Sequence, residues 1–323
     1  MYLVFVIALV ILLYTMQSLF TRFYTDNYPG DQSLTTPVFA VVCGFIVTVV
    51  SFIFSGFSFK CGWLTVLLGV INAVVLYAYD AFIIKASATG PYSILMTFSL
   101  SGGIIIPAIV SWVSNFKENF SFVQLFAIAI IFASVLMITK KDDEDANKSE
   151  HSKHRVFFLV ICTLLGLANG LYGVLLNLQQ ELTGNFDAAT GELISAPEKE
   201  EMVVITFIGA AVISLVQLLV KEKKNTLKAF KQTKLSLTFL LLSAAVSALA
   251  INALVIALEG VNETVVYTFD NAGVLLLSAI ASAVFFKEKL SKLNIAGCLL
   301  VSVGLAFMGG YGFIESFIAG LFA

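Results

Sequence analysis

Residues Gly62 to Ile84 read GWLTVLLGVINAVVLYAYDAFII, with one charged residue, Asp80, and one amide, Asn72. The hydrocarbon core of a bilayer is about 30 Å thick, so a helix needs about 20 apolar residues to cross it. This stretch is long enough. Its apolar residues do not alternate in twos, as those of a membrane β-strand would. It predicts a transmembrane helix, and the rest of the chain repeats the pattern.

Ten such stretches qualify: Tyr2–Leu19, Pro37–Ser55, Gly62–Ile84, Pro91–Val113, Phe122–Thr139, Val156–Leu178, Met202–Val220, Leu235–Leu258, Thr264–Phe286 and Leu293–Phe313. Composition agrees. Of the 323 residues 59% are apolar and 12% charged, against about 45–50% and 25% in a soluble domain. Mean hydropathy is +0.95. These values exclude a soluble enzyme or binding module and predict an all-α polytopic membrane protein. With 19 basic and 21 acidic residues and a net charge of −2, the chain has no basic field for nucleic acid. Cys43, Cys61, Cys162 and Cys298 lack metal-ligand spacing and read as small buried residues. His151 and His154 fall in a charged linker beside Asp142 to Asp145, so no metal site, cofactor or catalytic constellation is expected. The first stretch is too long, and lacks the basic start, for a cleaved signal peptide.

Proline at Pro37 and Pro91 marks helix starts, where its missing N–H costs nothing. Ser121 and Gln124 have capping-box spacing. The distribution of Lys and Arg sets direction. Sixteen basic residues fall on one side: Arg22, Lys85, five in the linker 140–155, six from Lys221 to Lys234, and Lys287, Lys289 and Lys292. Only Lys60, Lys117 and Lys199 fall on the other. The basic side is expected to be cytoplasmic, with both termini outside.

A shift of 170 residues lays Gly90 on Gly260, Gly103 on Gly273, Phe116-Lys117-Glu118 on Phe286-Lys287-Glu288, and Ser121 on Ser291. Residues 1–139 and 156–323 then form two five-helix repeats joined by the cytoplasmic linker 140–155. Five is odd, so the second repeat enters the membrane from the opposite side. Ten helices in two inverted repeats is a plan of secondary transporters, with the site between the repeats.

The run FFKEKLSKLNIAGC from Phe285, leading into an apolar helix, and its counterpart FKENFSFVQL from Phe116 resemble the motif that closes each half of EamA-like proteins in the drug/metabolite transporter superfamily. Lys117 and Lys287 stand where that family usually has glycine before the glutamate. The resemblance covers essentially the whole chain. It implies a transporter, often an exporter, of small metabolites in the plasma membrane. Glu118 and Glu288, at the membrane edge, are expected to serve the following helix N-termini.

Ionisable groups inside apolar spans are expensive and mark function by default. Only Asp80 and Asp270 qualify among the acids. Either is expected to take up a proton or attract a substrate amine, or else to form a structural pair. Asn72 and Tyr79 share a helical face with a spacing of seven. Asn169, Asn252 and Asn271 complete the substrate-binding set, although amides also bind helices together in membranes. Together they place the third, sixth, eighth and ninth stretches around a central cavity. Gly166-Leu-Ala-Asn-Gly170 is a close-contact motif. Ser99 to Gly103 with Pro107 marks a place for a bend or an unwound turn.

The expected function is a secondary transporter, exporter or exchanger, of a small polar or amphipathic metabolite, working by alternating access as monomer or homodimer. The rivals are a flippase of a lipid-linked intermediate and a membrane-embedded enzyme. No phosphate-cradling loop is present to couple transport to ATP.

Overall fold

The exposed faces of the long helices are more apolar than their buried faces. On the helix Trp63–Thr89, Val66, Leu67, Val70 and Val74 are 41–55% exposed, while Thr65, Gly69, Asn72 and Asp80 are buried. That inversion of the soluble pattern is what lipid solvent selects, since acyl chains cannot satisfy a polar group.

The computed structural model describes residues 2–114, 122–139, 149–186, 193–195, 198–222, 226–258, 263–287, 292–309, 311 and 315. These form eleven α-helices: α1 (Tyr2–Asn27), α2 (Thr35–Phe54), α3 (Trp63–Thr89), α4 (Tyr92–Ser114), α5 (Phe122–Thr139), α6 (Ser149–Thr183), α7 (Lys199–Glu222), α8 (Thr226–Ala229), α9 (Lys234–Leu258), α10 (Glu263–Phe285) and α11 (Lys292–Gly309). A 3-10 turn at Gln32–Leu34 precedes α2, and β1 (Asn185–Phe186) pairs antiparallel with β2 (Leu193–Ser195). Seven helices are long and apolar enough to cross a membrane: α1, α2, α3, α6, α7, α9 and α10. Shorter apolar segments occupy α4 (Tyr92–Pro107), α5 (Phe122–Ser134) and α11 (Ile295–Gly304). The chain is therefore an essentially all-helical integral membrane protein.

Several helices outrun their apolar stretches. α1 continues past Leu19 to Asn27 because its polar residues bond their own helix. Thr21 Oγ1 donates to the Gln17 carbonyl, Thr25 Oγ1 to Thr21 and Asn27 Nδ2 to Phe23, all at 2.8–2.9 Å. α6 starts at Ser149, so the last seven residues expected in the linker are helical. The short α8 and the β1–β2 hairpin carry no apolar signal and were not expected. Pro37 lies in the first turn of α2, while Pro91 precedes α4 and accepts the Leu95 N–H at 3.2 Å. Pro107 sits inside a continuous α4, so the expected bend is not an unwound turn. The proline still denies a hydrogen bond to the Gly103 carbonyl. Outside the described residues lie the linker positions 140–148, Gly260, Glu288, Ser291, and the motif residues Phe116, Lys117, Glu118 and Ser121.

The helices sort into two compact units that do not coincide with the sequence halves. One unit comprises Met1–Ala88 with Leu171–Val261, the other Thr89–Gly170 with Asn262–Ala323. Each takes helices from both halves.

In the first unit α1 runs antiparallel to α9. Phe20 and Phe23 both stack on Phe239, and Thr21 Oγ1 lies 2.8 Å from Ser243 Oγ. α2 packs against α7 and α9. α3 runs parallel to α7, with Gly69 against Ile205 and Ala73 against Gly209.

In the second unit α4 pairs antiparallel with α10. The Tyr92 ring lies 5.1 Å from Phe286, and Gly103 faces Asn271. α5 pairs antiparallel with α11, through Phe126 with Phe307 and Ile131 with Gly304. α4 crosses the first part of α6 where glycine replaces glycine: Gly102 lies against Gly166, Gly166 against Phe98, and Gly170 against Gly102 and Ile106. The close-contact motif at Gly166 and Gly170 thus serves this crossing.

Candidate functional site

In the second unit the polar centre forms at Gly103. Its missing side chain leaves room for the Asn169 and Asn271 amides, which occupy the space a Cβ would need. Asn169 Nδ2 donates to the Ser99 carbonyl at 2.9 Å and to Asn271 Oδ1 at 3.2 Å. Asn271 Nδ2 donates to the Tyr267 carbonyl at 2.9 Å. The two amides bind α4, α6 and α10 together, a typical use of amides in membranes.

Asp270 sits next to this pair on α10. It is only 7% exposed, and its Oδ1 is buried with no hydrogen-bond partner among the described residues. A buried carboxyl with an unmatched oxygen is rare and calls for a partner. A proton, a metal cation or an ammonium group each supplies one. Val266 and Gly273, on the same face, are buried as well, so this side of α10 turns inward.

The first unit holds the other candidates. Asp80, 8% exposed, lies within electrostatic reach of Cys43 on α2 and Tyr172 on α6. Tyr172 also senses Tyr79. The Cys43 thiol shares a hydrogen bond with Ser247 on α9. Groups from α2, α3 and α6 therefore surround Asp80. Asn72, two turns earlier on α3, is fully buried, and neither its Oδ1 nor its Nδ2 finds a partner among the described residues. Asn252 differs: its Nδ2 donates to Ser51 Oγ at 2.9 Å and to the Ala248 carbonyl at 2.8 Å. One bond fastens α9 to α2, and the other returns to its own helix.

The seven candidates thus divide by chemistry. Asn169, Asn271 and Asn252 use their polar atoms to join helices. Asp270 and Asn72 hold buried polar atoms in reserve. Asp80 and Tyr79 lie in a polar cluster with Tyr172 and Cys43.

Sequence reasoning missed Tyr172, Ser247 and a network at the N-terminus of α3. There Glu198 accepts from the Gly62 N–H at 2.9 Å and from Thr65 Oγ1 at 2.5 Å. Glu201 accepts from the Lys60 N–H at 3.4 Å. Gln179 Nε2 donates to Thr65 Oγ1 at 3.3 Å and to Thr183 Oγ1 at 2.9 Å. Cys61 and Gly62 offer α3 no oxygen cap, so a distant carboxylate answers its free N–H groups and its dipole. Glu198 adopts φ of 65°, uncommon for a residue with a Cβ. Burial, and the charges of Glu198 and Glu201, push the Cys61 thiol up. The missing cap at Cys61-Gly62 was the available signal, but it does not name the partner. Among the described residues no group of three or more His, Cys, Asp or Glu side chains is arranged to hold a metal ion.

No family model and no curated protein matches the chain. Solved structures do: 28 chains match. One, described only as the crystal structure of a protein, aligns over 95% of this chain and 97% of its own length, with a TM-score of 0.63 and 12% identity. Identity this low carries the fold and nothing further.

Proposed function

We propose that the protein is a secondary transporter of a small polar or amphipathic metabolite, built as two inverted five-helix repeats and working by alternating access. The observation that carries this reading is the pairing of helices with their own equivalents under the 170-residue shift. The shift moves the bounds of α5 onto 292–309, those of α11, and the bounds of α4 onto 262–284, one residue from α10. Both pairs pack antiparallel. A helix running opposite to its repeat partner is what an inverted repeat requires, and inverted repeats are the structural basis of alternating access in many carriers.

In this reading all ten long helices cross the plasma membrane, and the basic loops face the cytoplasm. In the first unit Asp80 supplies substrate or proton contacts, Asn72 and Tyr79 add polar contacts on the same face of α3, and Asn252 holds α9 to α2. In the second unit Asp270 supplies such contacts, and Asn169 and Asn271 hold its helices together. Two buried acids favour substrates carrying an amino group, in keeping with the resemblance to EamA-like transporters.

The test is solute counterflow in proteoliposomes across amino acids, nucleosides and cationic drugs. Saturable, protein-dependent exchange of a water-soluble amine supports the proposal. Movement of lipid-linked compounds alone, or of no compound, refutes it.

A further inference from the structure

Between α7 and α9 the sequence carries Lys221, Lys223, Lys224, Lys228, Lys231 and Lys234, six lysines in fourteen residues. Four of them, Lys221, Lys228, Lys231 and Lys234, are among the described residues. The one-turn α8 presses Thr226 and Ala229 inward, and Tyr28 Oη donates to the Ala229 carbonyl at 3.0 Å, fastening the turn to the α1–α2 connection. The Lys231 N–H donates to the Lys228 carbonyl at 3.0 Å and closes the chain behind it. Leu227 points the other way and is 86% exposed. The side chains of Lys221, Lys228, Lys231 and Lys234 are exposed as well.

Three described acids lie near this end of the unit. Asp26 pairs with Arg22 at 3.3 Å. Asp31 accepts the Ser33 N–H at 2.8 Å and lies within electrostatic reach of Lys221. Glu222 lies near Tyr28. No described acid forms an ion pair with Lys228, Lys231 or Lys234. The lysines also adjoin apolar surface. Val220 is 69% exposed at the end of α7 and Leu235 is 52% exposed at the start of α9.

We propose that this turn is a docking surface for the headgroups of anionic phospholipids in the bilayer that the protein spans. A lipid has the matching chemistry: a phosphate for the ammonium groups, and acyl chains for the exposed Leu227, Val220 and Leu235. Lysines just beyond a membrane helix attract anionic headgroups additively, and the attraction fades within a Debye length. The Tyr28 bond holds the turn in place, so little ordering entropy is lost when a lipid binds.

The test uses the full chain carrying Phe230→Trp as reporter, in phosphatidylcholine vesicles with either brominated phosphatidylglycerol or brominated phosphatidylcholine as quencher. The signal of Trp63 and Trp112 is subtracted with unsubstituted protein. The expected result is a preference of at least about tenfold for the anionic lipid, lost in high salt and in the combined Lys228→Gln, Lys231→Gln, Lys234→Gln variant. The high-salt arm uses the native lysines and keeps the test decisive if the triple variant fails to fold. Equal quenching by the two lipids, or a preference that survives high salt, overturns the proposal.

Discussion

Replacing Gly166 with alanine sets helix propensity against packing at the α4–α6 crossing. Alanine gains about 1 kcal/mol over glycine in a helix interior. The new methyl group, however, lies 2.5 Å from the Phe98 carbonyl oxygen, about 0.9 Å inside the 3.4 Å at which ordinary contact begins. That oxygen is backbone and cannot swing aside as a side chain does, so α4 and α6 must separate. Gly170 repeats the conflict one turn later, 2.5 Å from the Gly102 oxygen and from Ile106 Cβ. Overpacking of this kind costs about 1–3 kcal/mol, and separated helices also lose the Asn169 bond to Ser99. The expected net loss is about 1–2 kcal/mol for Gly166→Ala. Gly166→Ala with Gly170→Ala falls short of the sum, because one separation relieves both clashes. Thermal unfolding in detergent, read by the fraction surviving size exclusion, measures this. Leu167→Ala, on the same helix at a side chain 47% exposed, serves as control and should change little. A Gly166→Ala protein as stable as the parent would refute the close crossing.

Burial, with Asp31 and Glu222 nearby, holds the Tyr28 hydroxyl neutral and pushes its pKa from 10 up to about 12. Stability linked to it is present below pH 10 and lost as pH rises toward 12; Tyr28→Phe should cost about 1 kcal/mol at neutral pH and flatten that alkaline decline in a pH series of melting curves. Glu198→Ala should destabilise by about 1–3 kcal/mol, because two donors at the start of α3 lose a charged acceptor, with Glu198→Gln between it and the parent in the same melts. Lys228→Cys should resist an impermeant maleimide in intact cells and react in inverted vesicles. Labelling in intact cells would reverse the proposed orientation.

Much of the fold is legible in hydropathy, because lipid contact demands apolar residues wherever a helix faces outward. The stretch Gly62–Ile84 foretells α3, and its Asn72 and Asp80 foretell the inward face. The spacing of Gly166 and Gly170 foretells a close crossing. What escapes depends on groups far apart in the chain. No local pattern marks Glu198 as the partner of Gly62, 136 residues earlier. Nor does Cys43, one more small apolar residue in α2, announce its bond to Ser247 or its nearness to Asp80. Helix ends escape for another reason: Thr21, Thr25 and Asn27 look like the start of a loop, yet each satisfies itself on the preceding turn. The sequence halves do not reveal the compact units, since α6 begins in one and ends in the other.

Asp270 is where buried chemistry and proposed transport meet. The measurement is counterflow of an amine substrate by the parent and by Asp270→Asn across a pH series, with both proteins first matched for folding by size exclusion. Asparagine keeps the size and removes the charge, so the variant should remain inserted while its rate for cationic substrates falls at least about tenfold and its pH dependence flattens. If Asp270→Asn transports at the parental rate, over the same substrates and with the same pH dependence, Asp270 is a structural residue and the proposed site is wrong.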